Sequence, residues 1–207
     1  NNLSIGLGSS GVTLQELVSA YSAFANHGIK VESKGIRYVE NRNGKVLFKE
    51  SQNKTQPISN GIASVITSLL QSVVKEGTAK KVRALERPTA GKTGTTNNYI
   101  DAWFLGYTPK LLTGVWVGKD DVEPLGKNET GSRAALPIWL EYMKRALEGT
   151  PIHNFRTTYE TVFTKINPDT GNLTDAEDPK GYFEIFLKDK LPAKQNNATK
   201  VLIDKAF

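Results

Sequence analysis

The chain contains no cysteine, and only two of its 207 residues are histidine. Without cysteine it can form neither a disulfide framework nor a thiolate metal or redox site. His27 and His153 are far apart in the sequence, which argues against a Ser-His-Asp triad and against a multi-histidine metal site. We therefore expect no metal and no cofactor.

Long apolar runs and basic clusters are missing as well. No run approaches the ~20 apolar residues of a membrane-spanning helix, and no signal-peptide pattern opens the chain. The net charge is +6, but the lysines and arginines are scattered and do not form a stripe interleaved with aromatic residues. No nucleic-acid partner is therefore expected. The remaining composition is that of an ordinary globular protein.

Helical periodicity predicts three helices. The first begins at Thr13, whose pairing with Glu16 is typical of a capping box, and it ends at Gly28. The second spans 58–76 and ends at Gly77, with an apolar stripe of Ile58, Ile62, Val65, Ile66, Leu69, Leu70 and Val73. In the third, Pro137 lies in the first turn or marks a kink. Its predicted apolar face contains Trp139, Tyr142, Met143, Ala146 and Leu147.

The strand-like segments predict antiparallel pairing. Asn43-Gly44 separates two β-prone runs and indicates a hairpin. Three further runs, AGKTGTT, DAWFLGYTP and KLLTGVWVG, follow one another through short connections and predict one antiparallel sheet. Residues 1–150 are predicted to form the main domain. Residues 151–207, with a turn at 167–171, are predicted to form a small appendage that is loosely ordered at its end.

The stretch RPTAGKTGTTNNY at 87–99 carries the chemical signal. A phosphate-binding loop would need glycine at position 86, where this chain has Glu86, and it would need a helix after Thr93. Pro88 also removes a backbone donor. The segment is therefore interpreted as a strand bearing Lys-Thr-Gly.

On such a strand, alternation places Lys92 and Gly94 on one face and Thr93 and Thr95 on the other. A lysine beside threonine hydroxyls suits an anionic ligand, since the ammonium supplies charge and the hydroxyls donate hydrogen bonds. Gly94 permits close approach of a substrate. The backbone N–H of Thr95 is a candidate oxyanion donor. The three tryptophans, Trp103, Trp116 and Trp139, are expected in the core.

Four stretches in one order extend the signal: GSSGVTLQELVSAYSAFANHG, SVVKEGTA, RPTAGKTGTTNNYIDAWFLGYTP and LTGVWVGKDD. Together they resemble the C-terminal half of the transpeptidase domain of bifunctional class A penicillin-binding proteins, over about residues 3–149. The tail resembles the extension that follows this domain. The resemblance implies an α/β (α+β) fold of the penicillin-recognising serine transpeptidase and β-lactamase type, an antiparallel sheet flanked by helices.

The resemblance also implies a function. Such an enzyme crosslinks peptidoglycan stem peptides through a serine acyl-enzyme and binds β-lactams, at the outer face of the cytoplasmic membrane of bacteria. Lys92, Thr93, Gly94 and Thr95 would be the catalytic strand. Lys92, Thr93 and Thr95 would hold the substrate carboxylate and the oxyanion, and Thr96 and Asn97 would border the cleft.

The family also requires a serine in S-x-x-K, followed by S-x-N, both before K-T-G. Ser72 to Lys75 and Ser51 to Asn53 match these patterns but in reversed order. Ser72 is expected at a helix C-terminus, where the macrodipole disfavours an alkoxide. We therefore expect the chain to be a fragment that is inactive alone. Its partner would be the N-terminal half of the domain, and any membrane contact would be made by an absent N-terminal anchor.

Two other functions stay open. A non-catalytic scaffold or binding half of a cell-envelope protein would explain the absent serine motif. A β-lactamase would also need upstream motifs, and the long tail argues against it.

Overall fold

The computed structural model describes residues 3, 8, 10–51 and 53–194. The chain divides into two compact units, Asn1–Arg156 and Thr157–Phe207, whereas the sequence placed the boundary after residue 150. The assignment of the second unit as a family extension stays a prediction. Gln52 and the end of the tail at 195–207, for which loose order was predicted, lie outside the described residues.

The three predicted helices are present. Helix α1 spans Leu14–Ala25, α2 spans Asn60–Lys75 and α3 spans Ala135–Ala146. The capping box of α1 is confirmed, because the Thr13 hydroxyl accepts the Glu16 N–H at 3.2 Å and the Glu16 carboxylate accepts the Thr13 N–H at 2.8 Å. Pro137 lies in the first turn of α3, where a missing N–H costs nothing. Among the described residues every helix is too short or too polar to traverse a lipid bilayer.

The predicted buried faces of two helices are partly wrong. In α3, Trp139 and Met143 are buried, but Tyr142 and Ala146 are exposed. In α2, the large side chains of Ile62 and Leu69 are 38% and 53% exposed. The residues that α2 buries are mostly small, namely Gly61, Ala63, Thr67 and Val74. Small side chains let this helix pack closely against the neighbouring strand and α1. The periodicity of its large residues does not show that this face is the buried one.

Four short strands form two antiparallel pairs. Strand β1 (Lys30–Val31) pairs with β4 (Lys54–Thr55), and β2 (Tyr38–Glu40) pairs with β3 (Val46–Lys49). The predicted hairpin is therefore confirmed. Its turn is closed by the Gly44 N–H, which donates to the Asn41 carbonyl at 3.0 Å, and Gly44 has φ +75°, which glycine adopts without strain.

The central sheet has the order β5-β6-β7, all antiparallel, as predicted. Its strands are β5 (Ala90–Thr95), β6 (Ala102–Tyr107) and β7 (Leu112–Val117). On one face α3 packs, with the rings of Phe104 and Trp139 edge to face at 5.0 Å. On the other face α1 packs so closely against Gly114 that a Cβ there would lie 2.9 Å from Leu14.

Two buried aromatic residues of this core have partners for their polar groups. The Trp139 indole N–H donates to the carbonyls of Thr113 at 3.0 Å and Gly106 at 3.3 Å. The hydroxyls of Tyr107 and Thr67 lie 2.9 Å apart, and burial raises the pKa of Tyr107. Because hydrogen bonds are directional, they fix the orientation of the helices on the sheet in addition to the apolar packing.

Arg87, which precedes β5, forms hydrogen bonds with the segment at the end of α3. Its guanidinium donates to the carbonyls of Leu147, Thr150 and Pro151 at 2.8, 2.9 and 3.2 Å. These carbonyls follow the last turn of α3, where backbone acceptors lack helical partners. The cation therefore links the start of β5 to the segment that follows α3, near the negative end of the helix dipole.

The second unit contains a hairpin of β8 (Thr161–Ile166) and β9 (Tyr182–Leu187). The predicted turn at 167–171 is confirmed by the Gly171 N–H, which donates to the Asn167 carbonyl at 2.8 Å. In the connecting loop, hydrogen bonds from the Thr174 hydroxyl, the Lys180 N–H and the Asn167 amide lower the pKa of Asp178 to about 2.

Candidate active site

The Lys-Thr-Gly sequence lies on β5, at one edge of the described three-stranded sheet. The register pairs Lys92 with Leu105, Thr93 with Phe104, Gly94 with Trp103 and Thr95 with Ala102. Neighbouring residues of a strand face opposite ways. The predicted strand is therefore confirmed, with Lys92 and Gly94 on the face that carries Trp103.

Gly94 is required by packing within the sheet. A Cβ at this position would lie 3.1 Å from the Cβ of Trp103 on the paired strand. This spacing is tighter than side chains normally tolerate, so glycine leaves room for the indole. The sequence interpretation assigned Gly94 to close approach of a substrate, and the structure adds this second reason.

Lys92 is exposed, and its ammonium donates to the carbonyl of Thr93 at 2.7 Å. In the part of the chain that the structure describes, no carboxylate lies within ion-pairing distance of it. The positive charge is therefore available to an anionic ligand on this strand.

The two threonines of the strand have different partners. The hydroxyl oxygen of Thr93 lies 2.8 Å from that of Thr78, which follows α2. The hydroxyl of Thr95 accepts the backbone N–H of Gly131 at 3.0 Å. Because a hydroxyl carries one hydrogen and accepts through its lone pairs, Thr95 keeps its hydrogen for another acceptor.

A cleft of about 840 Å³ opens beside the end of β5. Of the predicted site residues it contains Thr95 and Thr96, whereas Lys92, Thr93, Gly94 and Asn97 are not in its lining. The lining residues are Gly8, Ser10, Gly11, Val12, Thr13, Leu14, Leu17, Thr95, Thr96, Asp101, Trp103 and Trp116. Asn97 is exposed and begins a 3₁₀ turn, Asn97–Tyr99, at the rim of the sheet.

Two tryptophans of the cleft were expected in the core, and that expectation is wrong for both. Trp103 is half-buried and Trp116 is 41% exposed, with ring centroids 6.1 Å apart. Only Trp139 is a core residue, fully buried. The strand pattern contained the missing signal, because antiparallel pairing of the two runs sets Trp103 directly opposite Trp116.

Asp101 is a further residue that lines the cleft. Its carboxylate accepts the Trp116 indole N–H at 2.8 Å and the Thr96 hydroxyl at 3.3 Å. The Asp101 N–H in turn donates to the Thr96 hydroxyl at 2.8 Å. A half-buried carboxylate thus joins the turn after β5 to the third strand.

The two sequence matches to the serine motifs lie at positions that do not suit a nucleophile. Ser72 is in the last turn of α2, and its hydroxyl donates to the Ser68 carbonyl at 3.3 Å. Lys75 and Ser51 are exposed. Ser10 lines the cleft, but the residue three positions later is Thr13, which cannot serve as the lysine base of S-x-x-K.

The two histidines, distant in sequence, line one surface pocket of about 210 Å³ together with Lys110 and Arg156. This pocket lies at the turn after β6, at the opposite end of that strand from the cleft. Among the described residues, no group of three or more His, Cys, Asp or Glu side chains is arranged to hold a metal ion.

Comparison with known proteins identifies the family of the chain. The penicillin binding protein transpeptidase domain matches residues 1–143. Penicillin-binding protein 1A of Aquifex aeolicus is 39% identical over 189 residues, which cover 91% of this chain and 26% of that protein. Penicillin-binding protein 1A of Pseudomonas aeruginosa is 34% identical and is matched over 94% of this chain and 30% of its own length.

A solved structure agrees with the sequence relatives. The crystal structure of penicillin-binding protein 1A from Haemophilus influenzae superposes with a TM-score of 0.84 at 27% identity, over 93% of this chain and 34% of that one. The chain therefore spans between a quarter and a third of the length of these proteins. The mixed helix and sheet architecture predicted from the sequence is confirmed. The chain belongs to the penicillin-binding protein transpeptidase family.

Proposed function

We propose that this chain is the C-terminal half of a peptidoglycan D,D-transpeptidase domain and supplies one wall of its active site. The observation that carries the proposal is the K-T-G edge strand, with a lysine that has no carboxylate partner among the described residues and a threonine hydroxyl that keeps its hydrogen beside a cleft. The family assignment supports it, since the matched relatives are penicillin-binding proteins.

In the proposed reaction, a serine outside this chain attacks the carbonyl carbon of the penultimate D-alanine of a stem peptide. The terminal D-alanine leaves with the proton, and an acyl-enzyme remains. The amine of a neighbouring peptide then displaces the serine. A β-lactam reacts with the same serine: the lactam C–N bond breaks and the ring nitrogen takes the proton.

The strand residues bind and orient the substrate in this scheme. The Lys92 ammonium and the hydroxyls of Thr93 and Thr95 hold the terminal carboxylate, because charge-assisted hydrogen bonds are the strong ones. The backbone N–H of Thr95 donates to the oxyanion. Thr96 and Asn97 border the cleft. Exposure of Lys92 and the free hydrogen of Thr95 support these roles.

The nucleophile is proposed to come from the N-terminal half of the same domain. Ser72 and Ser51 lie outside the cleft, and Ser10 lacks a lysine partner at the required spacing. The isolated chain is therefore expected to perform no acyl transfer, since catalytic groups of this kind act as a unit. The parent protein is placed at the bacterial cell envelope, on the outer side of the cytoplasmic membrane.

Intact-mass analysis after incubation with benzylpenicillin tests the proposal. The chain is incubated alone and together with the polypeptide that contains S-x-x-K and is encoded by the same gene. We expect the mass of the drug only on the added segment. Labelling of the lone chain would contradict the proposal, and Ser10→Ala and Ser72→Ala variants would then identify the nucleophile.

A second candidate function is a non-catalytic scaffold or binding half of a cell-envelope protein. It is favoured by one observation: among the described residues, no S-x-x-K serine lies at the cleft. If the two segments form a folded complex and neither becomes labelled, the scaffold function is the better account.

A further inference from the structure

We propose that Asp101 and Gly131 are positioning residues that hold the Thr95–Thr96 end of the K-T-G strand in the geometry that recognises a ligand carboxylate. The inference rests on the proposed function, because it states how part of that site is kept in place. Neither residue touches the ligand in this scheme. Each acts through a threonine hydroxyl.

Asp101 closes the turn after β5 with three hydrogen bonds. The Thr96 N–H donates to the Asp101 carbonyl at 3.1 Å, and the Asp101 N–H donates to the Thr96 hydroxyl at 2.8 Å. The Thr96 hydroxyl donates to the Asp101 carboxylate at 3.3 Å. Thr96 is therefore held through both its backbone and its side chain, and its hydroxyl direction depends on one carboxylate.

The second carboxylate oxygen of Asp101 fixes this turn to a distant strand. It accepts the indole N–H of Trp116 at 2.8 Å. Trp116 is on β7 and pairs with Trp103, two residues beyond Asp101, so the bond joins the start of β6 to the next strand. Hydrogen bonds to an ionised acceptor are shorter and stronger than neutral ones. Through Asp101, the end of β5 is therefore linked to β7 as well as to β6.

Gly131 fixes the other threonine. Its N–H donates to the Thr95 hydroxyl at 3.0 Å, which directs the remaining hydrogen of that hydroxyl to a different acceptor. A Cβ at position 131 would collide with the carbonyl oxygens of Gly94 and Trp103. Only glycine lets this N–H come close enough to orient Thr95.

The two contacts together predict a selective effect. Thr95 and Thr96 occupy the lining of the cleft side by side, and the proposed ligand group for this strand is a carboxylate. The Thr96 hydroxyl gives its hydrogen to Asp101, so the Thr95 hydroxyl is the donor that remains for the ligand. Displacing it should therefore slow the reaction of a ligand that has the carboxylate more than that of a ligand in which it is masked. A general loss of folding would slow both equally.

The test uses the full-length protein and two probes, benzylpenicillin and its methyl ester, in which the carboxylate is masked. Asp101→Ala should lower the rate constant of acylation by benzylpenicillin about tenfold or more, since small misplacements of a binding group can cost up to about 100-fold. The rate with the methyl ester should change much less. Asp101→Asn should restore most of the loss, because the amide oxygen still accepts from Trp116 and the amide N–H₂ donates to the Thr96 hydroxyl, which keeps the turn linked to β7 with the direction of that one bond reversed.

Two further variants keep the test decisive if Asp101→Ala fails to fold. Trp116→Phe removes one bond to the carboxylate and should give a smaller loss with the same selectivity. Asp120→Ala, which removes an exposed acid that follows β7, should leave both rates unchanged. Equal losses with both probes, or no recovery in Asp101→Asn, would overturn the positioning role while leaving the proposed function intact. If the unaltered protein is not acylated by benzylpenicillin, the proposed function fails and the positioning role falls with it.

Discussion

The sheet of β5 to β7 and the hairpin of β2 and β3 both contain large apolar residues, yet these side chains have opposite environments. In the sheet, Phe104 and Tyr107 are fully buried. In and beside the hairpin, six large apolar residues are each 42% to 62% exposed: Ile36, Tyr38, Val39, Val46, Leu47 and Phe48. The difference shows that α3 and α1 complete the core around the sheet, while no described element covers the hairpin.

The apolar stripe on α2 is also partly exposed, like the apolar residues of the hairpin. Ile62 and Leu69 point away from the residues that this helix buries. Apolar patches of this kind mark surfaces that another surface covers. The pattern fits the proposal that the chain is one half of a domain, whose second half would supply the cover.

Removing Trp139 should produce the largest loss of stability, because this residue is the centre of the sheet core. Trp139→Ala leaves a cavity against Phe104 and frees two buried carbonyls, so we expect about 3–5 kcal/mol of destabilisation by urea unfolding. Trp139→Phe keeps most of the ring and should cost less. A loss under about 1 kcal/mol in Trp139→Ala would show that α3 does not complete the core.

Arg87 tests the bond between the sheet and the end of α3. Arg87→Met keeps the aliphatic length but removes the three bonds to carbonyls, and we expect a loss of about 1–3 kcal/mol in the same assay. Arg83 is the matched control, because within the described residues its guanidinium makes only a local bond to the Lys80 carbonyl at 3.3 Å. Equal effects of Arg83→Met and Arg87→Met would contradict the assigned role.

The N-terminal cap of α1 should have a smaller effect. Thr13→Ala removes the side-chain acceptor for the Glu16 N–H and should lower stability by about 1 kcal/mol. Thr13→Ser keeps the hydroxyl and should behave like the unaltered chain. If both variants lose the same amount, the methyl group of Thr13 and not its oxygen stabilises the helix.

The hairpin should show the smallest effect on stability. Phe48→Ser replaces a half-exposed ring, so we expect a change within about 0.5 kcal/mol together with weaker binding of a dye that reports exposed apolar surface. Val115→Ser, on β7 against the core, is the opposing control and should destabilise strongly. A large loss in Phe48→Ser would mean that the hairpin already packs against a part of this chain.

Local sequence chemistry predicted most of the fold. Thr13 and Glu16 located the start of α1, Asn43-Gly44 located a hairpin, and the three runs around K-T-G gave the sheet in the right pairing. These features depend on neighbours in the chain, which the sequence displays directly. The strand that carries Lys92 to Thr95 was predictable for the same reason.

The sequence could not show which faces are covered. Helical spacing grouped Ile62 and Leu69 with buried positions, but packing selected Ala63 and Thr67, since small residues allow closer contact. The partners of the site were also hidden: Gly131 lies 36 residues beyond Thr95, and nothing local connects them. Asp101 was visible, but its bond to Trp116 requires the sheet to have formed.

The pair of hydroxyls at Thr78 and Thr93 has a consequence for how hydrogens are distributed along the strand. The two groups carry two hydrogens, and only one of them occupies the 2.8 Å gap between the oxygens. When an anion takes the hydrogen of Thr93, Thr78 must fill that gap, and the pair acquires a single direction. Thr78→Val would remove this donor and leave the Thr93 hydroxyl free to rotate. A residue outside the strand therefore determines whether the Thr93 hydroxyl is already oriented toward the ligand when the ligand binds.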